Sequence, residues 1–178
     1  MNYAELDSPL YHGSATSFNT IDLSQSAPKK DFGSGFYTTN DKTQAEKFAR
    51  MKAKRIQSTK GYVEVFILNN YDGLNIKKYE SPNEEWFDFV LCNRGQRVLA
   101  TIEAREVYDI VIGPVANDAV GLVLNQFIGG VFGDPMTGEA KETAIRLLLT
   151  QNLYNQVFFG TEQAVSRLMF SEVFDVCI

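Results

Sequence analysis

The chain has 178 residues, of which 44% are hydrophobic and 12% aromatic, so it can bury a core and is predicted to fold as one domain over residues 1–178. Its formal net charge of −5 argues against broad binding to a nucleic-acid backbone. Two cysteines and one histidine are too few for a disulfide scaffold or a zinc cluster, and no membrane span or signal peptide is recognisable. These features predict a cytoplasmic protein with no metal and no membrane partner.

The first predicted elements are two strands joined by a loop. The apolar run 9–11 ends at His12 and Gly13, and a loop rich in Ser, Pro and Lys follows at residues 24–30. Residues 36–39 then read as the second strand, because aromatic and β-branched residues follow a stretch of small ones.

Residues 43–55 are predicted as a helix, and residues 61–68 alternate as a strand. The side chains expected on one face of that strand are Val63, Val65 and Ile67. A second helical segment, at about residues 82–95, opens with early acids and stops at Gly95. Its buried stripe is predicted to be Trp86, Phe89 and Val90.

Residues 108–114 are predicted as a buried strand, and a longer helical segment follows at about residues 117–152. Its first helix is capped by Asn117 or Asp118 and runs to about residue 127. Its second helix spans residues 138–152 and is expected to turn Ala144, Leu147 and Leu148 inward.

The remaining predicted elements are a short strand, a short helix and a final strand, at residues 156–159, 161–168 and 172–177. Strands and helices therefore mix along the chain without regular alternation. This pattern is typical of an α+β fold.

Two segments carry the most informative pattern. The first contains a histidine–glycine pair, and the second, one loop later, contains a glycine-rich stretch followed by a tyrosine. They are Tyr11-His12-Gly13-Ser14 and Asp31-Phe32-Gly33-Ser34-Gly35-Phe36-Tyr37-Thr38-Thr39. Together they resemble the NAD pocket of ADP-ribosyltransferases, and most closely the branch with a His-Tyr-Glu signature that includes diphtheria-toxin-like and poly-ADP-ribose polymerase enzymes. The resemblance implies NAD as a co-substrate, bound by His12, Gly13 and Tyr37.

The residue types suit that ligand. A glycine backbone can approach the nicotinamide carboxamide closely, and its N–H and C=O can pair with it. A tyrosine ring can stack on the nicotinamide ring, and a histidine can donate to or accept from a ribose hydroxyl, depending on its tautomer.

The same resemblance implies that Phe48, on the following helix, closes the other side of the nicotinamide ring. Phe48 also shares a helical face with Ala45 and Ala49, so a role in the core is an equal alternative. The polymerase-type enzymes have a serine that touches the carboxamide where this chain has Ala45.

The third signature position departs from the family, in which a glutamate on a late strand holds the nicotinamide-ribose 2′-OH. The matching strand here begins with Gln156, whose amide can hydrogen-bond a hydroxyl but carries no charge. Glu162 is the alternative, although it reads as the first turn of a helix. We prefer Gln156 to Glu162 as the residue that holds the ribose 2′-OH.

Further clusters resemble a bacterial family of unknown function assigned to the ADP-ribosyltransferase superfamily. They lie at residues 86–94, 108–118 and 155–164. This resemblance implies a compact split-sheet ADP-ribosyltransferase fold. Related genes often lie beside a small partner gene, which implies a toxin-like role and a small antitoxin-like protein partner.

Other polar residues have simpler alternatives. Arg94 can bind a phosphate, or pair with Glu85 or Asp88 on its own helix. Asn93 directly precedes Arg94 and is also a candidate, but neither residue is assigned to catalysis. A basic cluster on the first helix and its exit is either a solvated face or a positive rim near an anionic ligand; its members are Lys47, Arg50, Lys52, Lys54, Arg55 and Lys60.

Two function classes follow. The first is a mono-ADP-ribosyltransferase that cleaves NAD and modifies an unknown macromolecule, with NAD hydrolysis without transfer as a weaker variant. The second is an NAD-binding or ADP-ribose-binding module with little or no turnover.

Overall fold

The computed structural model describes residues 3–100, 107–115, 118–150 and 153–178, without the side chains of residues 118 and 119. Its strands are β1 Leu10–Ser14, β2 Phe36–Thr38, β3 Lys60–Leu68, β4 Ile76–Lys78, β5 Ile110–Val115, β6 Tyr154–Phe159 and β7 Leu168–Cys177. Its helices are α1 Lys42–Arg55, α2 Glu84–Asn93, α3 Asp118–Ile128, α4 Gly138–Leu149 and α5 Glu162–Val165. The predicted α+β class is confirmed.

The strands form two sheets, which a single isolated backbone bridge connects. The first has the order β1-β3-β7 and is antiparallel, and the second has the order β2-β6-β5-β4 with one parallel pair, β4 with β5. An isolated antiparallel bridge joins Tyr11 of β1 to Thr39, just after β2, through N–H···O distances of 2.8 and 2.9 Å. The ladder between β1 and β2 does not continue past this bridge.

The two sheets pack face to face over an apolar core. Because side chains alternate along a strand, each strand of the second sheet supplies every other residue to that core. The core includes Leu10, Phe66, Ile110, Ile112, Val157 and Phe159. The opposite face of the second sheet, with Val111 and Phe158, packs against α2, α3 and α4, so β5 is buried on both faces.

Helix α1 lies directly on β1 and β3. The Asp41 side chain caps it by accepting from Thr43 N and Gln44 N, and Ala45 and Ala49 face the strands with almost no exposed surface. A Cβ on Gly13 would lie 2.1 Å from the carbonyl oxygen of Ala45 and 2.7 Å from the backbone nitrogen of Ala49. The sequence at Gly13 is therefore set by helix packing, whatever ligand lies beside it.

Burial differs from the sequence pattern at two apolar positions. Ile67 is 37% exposed, whereas Val63 and Val65, expected on the same strand face, are buried. The β-bulge beside Phe66 has its extra residue, Ser171, on β7 and leaves the alternation of β3 intact. Leu147 of α4 is 39% exposed, whereas Leu148 is fully buried.

Several predicted boundaries move. Asn83 caps α2, and Gly95, at φ +88°, ends its C-terminal turn as predicted. The short helix α5 ends at Val165, earlier than predicted, and β7 begins at Leu168, earlier than the predicted residue 172. Strand β4 was not predicted. The expected cap at Asn117 and the helix end at residues 151–152 lie outside the described residues.

No described helix has the length and hydropathy that a membrane crossing requires.

Candidate functional site

A cavity of about 400 Å³ opens where β1 and β2 separate. All the residues assigned to the site from the sequence line it: His12, Gly13, Tyr37, Phe48 and Gln156. The alternative third residue, Glu162, is exposed in the first turn of α5 and is not part of the cavity wall. The fold thus brings together side chains that are up to 144 positions apart in the sequence.

The main chain of Gly13 faces the opening. Successive peptide groups of a strand point to opposite edges, so Gly13 shares the edge on which Tyr11 bridges to Thr39. The Gly13 carbonyl accepts a hydrogen bond from Lys52 Nζ at 2.6 Å. A ligand amide that bound this carbonyl would have to replace the ammonium group.

His12 is held in one tautomer. Its Nδ1 lies 2.6 Å from the Tyr37 carbonyl, which can only accept, so Nδ1 carries the proton. Its Nε2 lies 3.3 Å from Lys52 Nζ and accepts from it. Burial, followed by the charge of Lys52, lowers the pKa of His12 to about 3, so the ring, which stacks on Phe36 at 4.7 Å, is neutral. Toward a ligand, His12 can offer only an acceptor.

Tyr37 is anchored at its hydroxyl. The hydroxyl donates to the Gly33 carbonyl at 2.8 Å and accepts from Phe32 N at 3.1 Å, and burial raises its pKa above the usual range. One ring face carries the Lys30 ammonium, whose Nζ is 4.8 Å from the ring centroid. That face attracts cations.

The loop before β2 is tied to the end of α2. Arg94 reaches Asp31 through Nε at 2.7 Å and Nη2 at 2.6 Å, and Asn93 Nδ2 donates to the Asp31 carbonyl at 3.2 Å. Arg94 thus pairs with Asp31, and the alternative of a pair with Glu85 or Asp88 on its own helix is wrong. Those two acids pair instead with Lys77 and, at 2.6 Å, with Lys141 of α4.

Phe48 and Gln156 line the cavity from different elements, α1 and β6. Phe48 is half-buried and lies on the cavity wall, whereas Ala49 belongs to the core beneath α1. Gln156 is half-buried on β6, opposite Gly113 of β5. Ala45 also lines the cavity and adds no hydrogen-bonding group.

Two charged residues of this region were missed by sequence reasoning. Lys52 turns into the cavity while Lys47, Lys54 and Arg55 stay exposed; its position four residues after Phe48, on the same helical face, was the available signal. Glu64 pairs with His12 across the strands and is fully buried, with Ser14 Oγ donating to it at 2.9 Å. Burial raises the pKa of Glu64 to about 7. Its strand position between two valines indicated an exposed face.

The described residues contain no cluster of three or more His, Cys, Asp or Glu side chains that could hold a metal ion. The cavity wall is instead rich in cations, with Lys29, Lys30, Lys52 and Arg94 against one acid, Asp31. This charge pattern favours an anionic ligand.

The sequence profile of one protein family matches residues 9–170 of the chain, which is most of its length. A search of the curated proteins finds no match. The matched family is described as Protein of unknown function (DUF3990), and the chain belongs to it.

Proposed function

We propose that the cavity between β1 and β2 binds NAD and that the protein is a mono-ADP-ribosyltransferase of the His-Tyr-Glu type. The observation that carries the proposal is the convergence of His12, Gly13, Tyr37, Phe48 and Gln156 on one cavity. The acceptor is a macromolecule of unknown identity, and a toxin-like role with a small antitoxin-like partner goes with this proposal. The superfamily assignment is itself part of it.

The cavity residues fit a nicotinamide ring. The ring would lie between Tyr37 and Phe48, with its carboxamide against the main-chain edge of Gly13. In NAD this ring is a cationic pyridinium, and the Tyr37 face already attracts the Lys30 cation. The fit requires Lys30 and Lys52 to leave that face and the Gly13 carbonyl.

In the proposed reaction, the bond between the ribose C1′ and the nicotinamide nitrogen breaks. Nicotinamide leaves as a neutral molecule with the bonding electron pair, an acceptor nucleophile bonds to C1′, and the acceptor proton passes to water. Gln156 Oε1 would accept from the ribose 2′-OH, a contact that strengthens as positive charge develops on the ribose. His12 Nε2 would accept from a ribose hydroxyl once Lys52 has moved.

A second candidate is an NAD-binding or ADP-ribose-binding module without turnover. Three observations favour it: Gln156 supplies no negative charge, Ala45 supplies no hydrogen bond, and Lys52 occupies the Gly13 carbonyl. An amide stabilises a developing cation less than a carboxylate does.

One assay separates the two candidates. The protein is incubated with NAD labelled in its adenosine half and a cell extract, and label on macromolecules and free nicotinamide are both measured. A transferase yields both, and a hydrolase yields nicotinamide alone. A binding module yields neither, although NAD raises its melting temperature. A protein that yields neither product and shows no NAD-dependent shift contradicts the proposal in both forms.

A further inference from the structure

The cavity at the split adjoins a second one of about 420 Å³. Four residues line both cavities: His12, Lys30, Tyr37 and Lys52. Apolar side chains, including Phe18, Ile21 and Phe36, form part of the second wall. Each cavity has the volume of a small-molecule site. The two therefore form one cleft with two compartments that meet at a pair of lysines.

The two lysines lack direct counter-ions. Among the described residues, no carboxylate oxygen lies within 4.0 Å of either ammonium group, whereas Arg94 in the same wall is paired with Asp31. Lys30 contacts the Tyr37 ring, and Lys52 contacts neutral acceptors only. Burial, followed by the charge of Lys30, lowers the pKa of Lys52 to about 8. An anion between them would relieve this repulsion.

We propose that Lys30 and Lys52 bind the pyrophosphate of a dinucleotide whose two ring systems occupy the two compartments. This inference rests on the proposed function, because NAD is such a dinucleotide. In a dinucleotide, the two negative charges of the pyrophosphate lie between the two halves that carry the rings. In the cleft, Lys30 and Lys52 lie between the two compartments. The second compartment contains the carboxylate of Asp22, which disfavours a phosphate at that site.

The contacts of Lys52 also explain how the first compartment, which is proposed to hold nicotinamide, becomes available to the ligand. Lys52 Nζ holds both the Gly13 carbonyl and His12 Nε2. When Lys52 turns to a phosphate oxygen, both acceptors are released to the ligand. Phosphate binding and exposure of the Gly13 edge are then one movement of one flexible side chain.

The test measures binding of ADP-ribose, which contains the pyrophosphate but no nicotinamide, by titration calorimetry. Lys30→Met and Lys52→Met should each weaken binding by roughly ten- to a hundredfold, as expected for loss of a charged hydrogen-bond donor. Lys54→Met is the matched control, because Lys54 is exposed on the same helix and outside both cavities; it should change binding by less than about twofold. Lys30 is exposed in a loop, so Lys30→Met is not expected to disturb folding. This variant therefore still tests the proposal if Lys52→Met alters the fold.

Each outcome bears on a different claim. The lysine proposal is overturned if the wild type and both cavity variants bind ADP-ribose equally well, or if the wild type does not bind it. If the same preparation still cleaves NAD, the proposed function stands. Lysine-dependent ADP-ribose binding without NAD cleavage would support the lysine proposal and remove the transferase. Binding of inorganic pyrophosphate as tightly as ADP-ribose would overturn the two-compartment dinucleotide and leave only an anion site.

Discussion

Gly13→Ala tests why a glycine follows the histidine. The added Cβ would meet the Ala45 carbonyl oxygen at 2.1 Å, where ordinary contact begins at 3.4 Å, and the Ala49 nitrogen at 2.7 Å. Both are backbone atoms of α1, so no rotamer change relieves the overlap and the helix itself must shift. Overpacking of this kind costs about 1–3 kcal/mol or more, and we expect the upper end. In a domain of this size, about 3 kcal/mol lowers the melting temperature by roughly 6–12 °C.

Gly121→Ala is the matched control, because it is the same chemical change inside α3 with no atom within 4 Å of the added Cβ. Removing a glycine from a helix interior should raise the free energy of unfolding by about 0.5–1 kcal/mol. Thermal and denaturant unfolding of both variants measure the difference. A Gly13→Ala protein as stable as wild type, or a shift of the same sign in both variants, would refute the packing argument.

Four further predictions concern residues in or beside the cavity. The pKa of His12 is about 3 against 6.5 for the free side chain, so the unfolded chain binds the extra proton between these pH values. The free energy of unfolding should therefore fall as pH drops through this window, by up to about 5 kcal/mol, and His12→Gln should remove that loss in denaturant titrations. The pKa of Glu64 is about 7 against 4.5 for the free side chain, so the folded protein binds the extra proton and the free energy of unfolding should fall as pH rises from 4.5 through 7. Glu64→Gln should therefore raise the free energy of unfolding by about 3 kcal/mol at pH 8. Identical pH profiles for the His12 and Glu64 variants would contradict both pKa assignments. Gln156→Ala should lower NAD turnover about a hundredfold with a smaller loss of affinity, and Glu162→Ala should leave turnover unchanged; the reverse result would identify Glu162 as the third residue. Tyr37→Ala should reduce the melting shift caused by NAD, and an unchanged shift in a folded variant would assign Tyr37 to structure alone.

The local parts of the fold could be predicted from the sequence. The helix over residues 43–55, the strand over residues 61–68 and the stop at Gly95 follow from periodicity and glycine chemistry within short windows. The exposure of Ile67 could not be predicted, because the strand pattern does not show that Ala45 and Ala49 of α1 cover Val63 on this face and not Ile67.

The cavity could be predicted as a set of residues but not as an electrostatic site. His12 and Tyr37 carry a recognisable pattern, Gln156 follows from its strand position, and all three residues line the cavity. The inward turn of Lys52 and its contact with His12 depend on how α1 packs across β1 and β3. The burial of Glu64 depends on the segment around Ser14 and Phe18, which is distant in the sequence. Arg94 likewise pairs with Asp31, which is 63 positions away, in preference to an acid on its own helix.

The central claim is that NAD binds at the split and displaces Lys52 from His12. Because His12 is the only histidine in the chain, a long-range proton–nitrogen NMR spectrum of the imidazole reports on this site alone. We predict a ring protonated at Nδ1 only, without titration between about pH 5 and pH 8, whose Nε2 signal shifts when NAD is added. A ring that titrates near its ordinary pKa, or an Nε2 signal unchanged at millimolar NAD, would contradict the account.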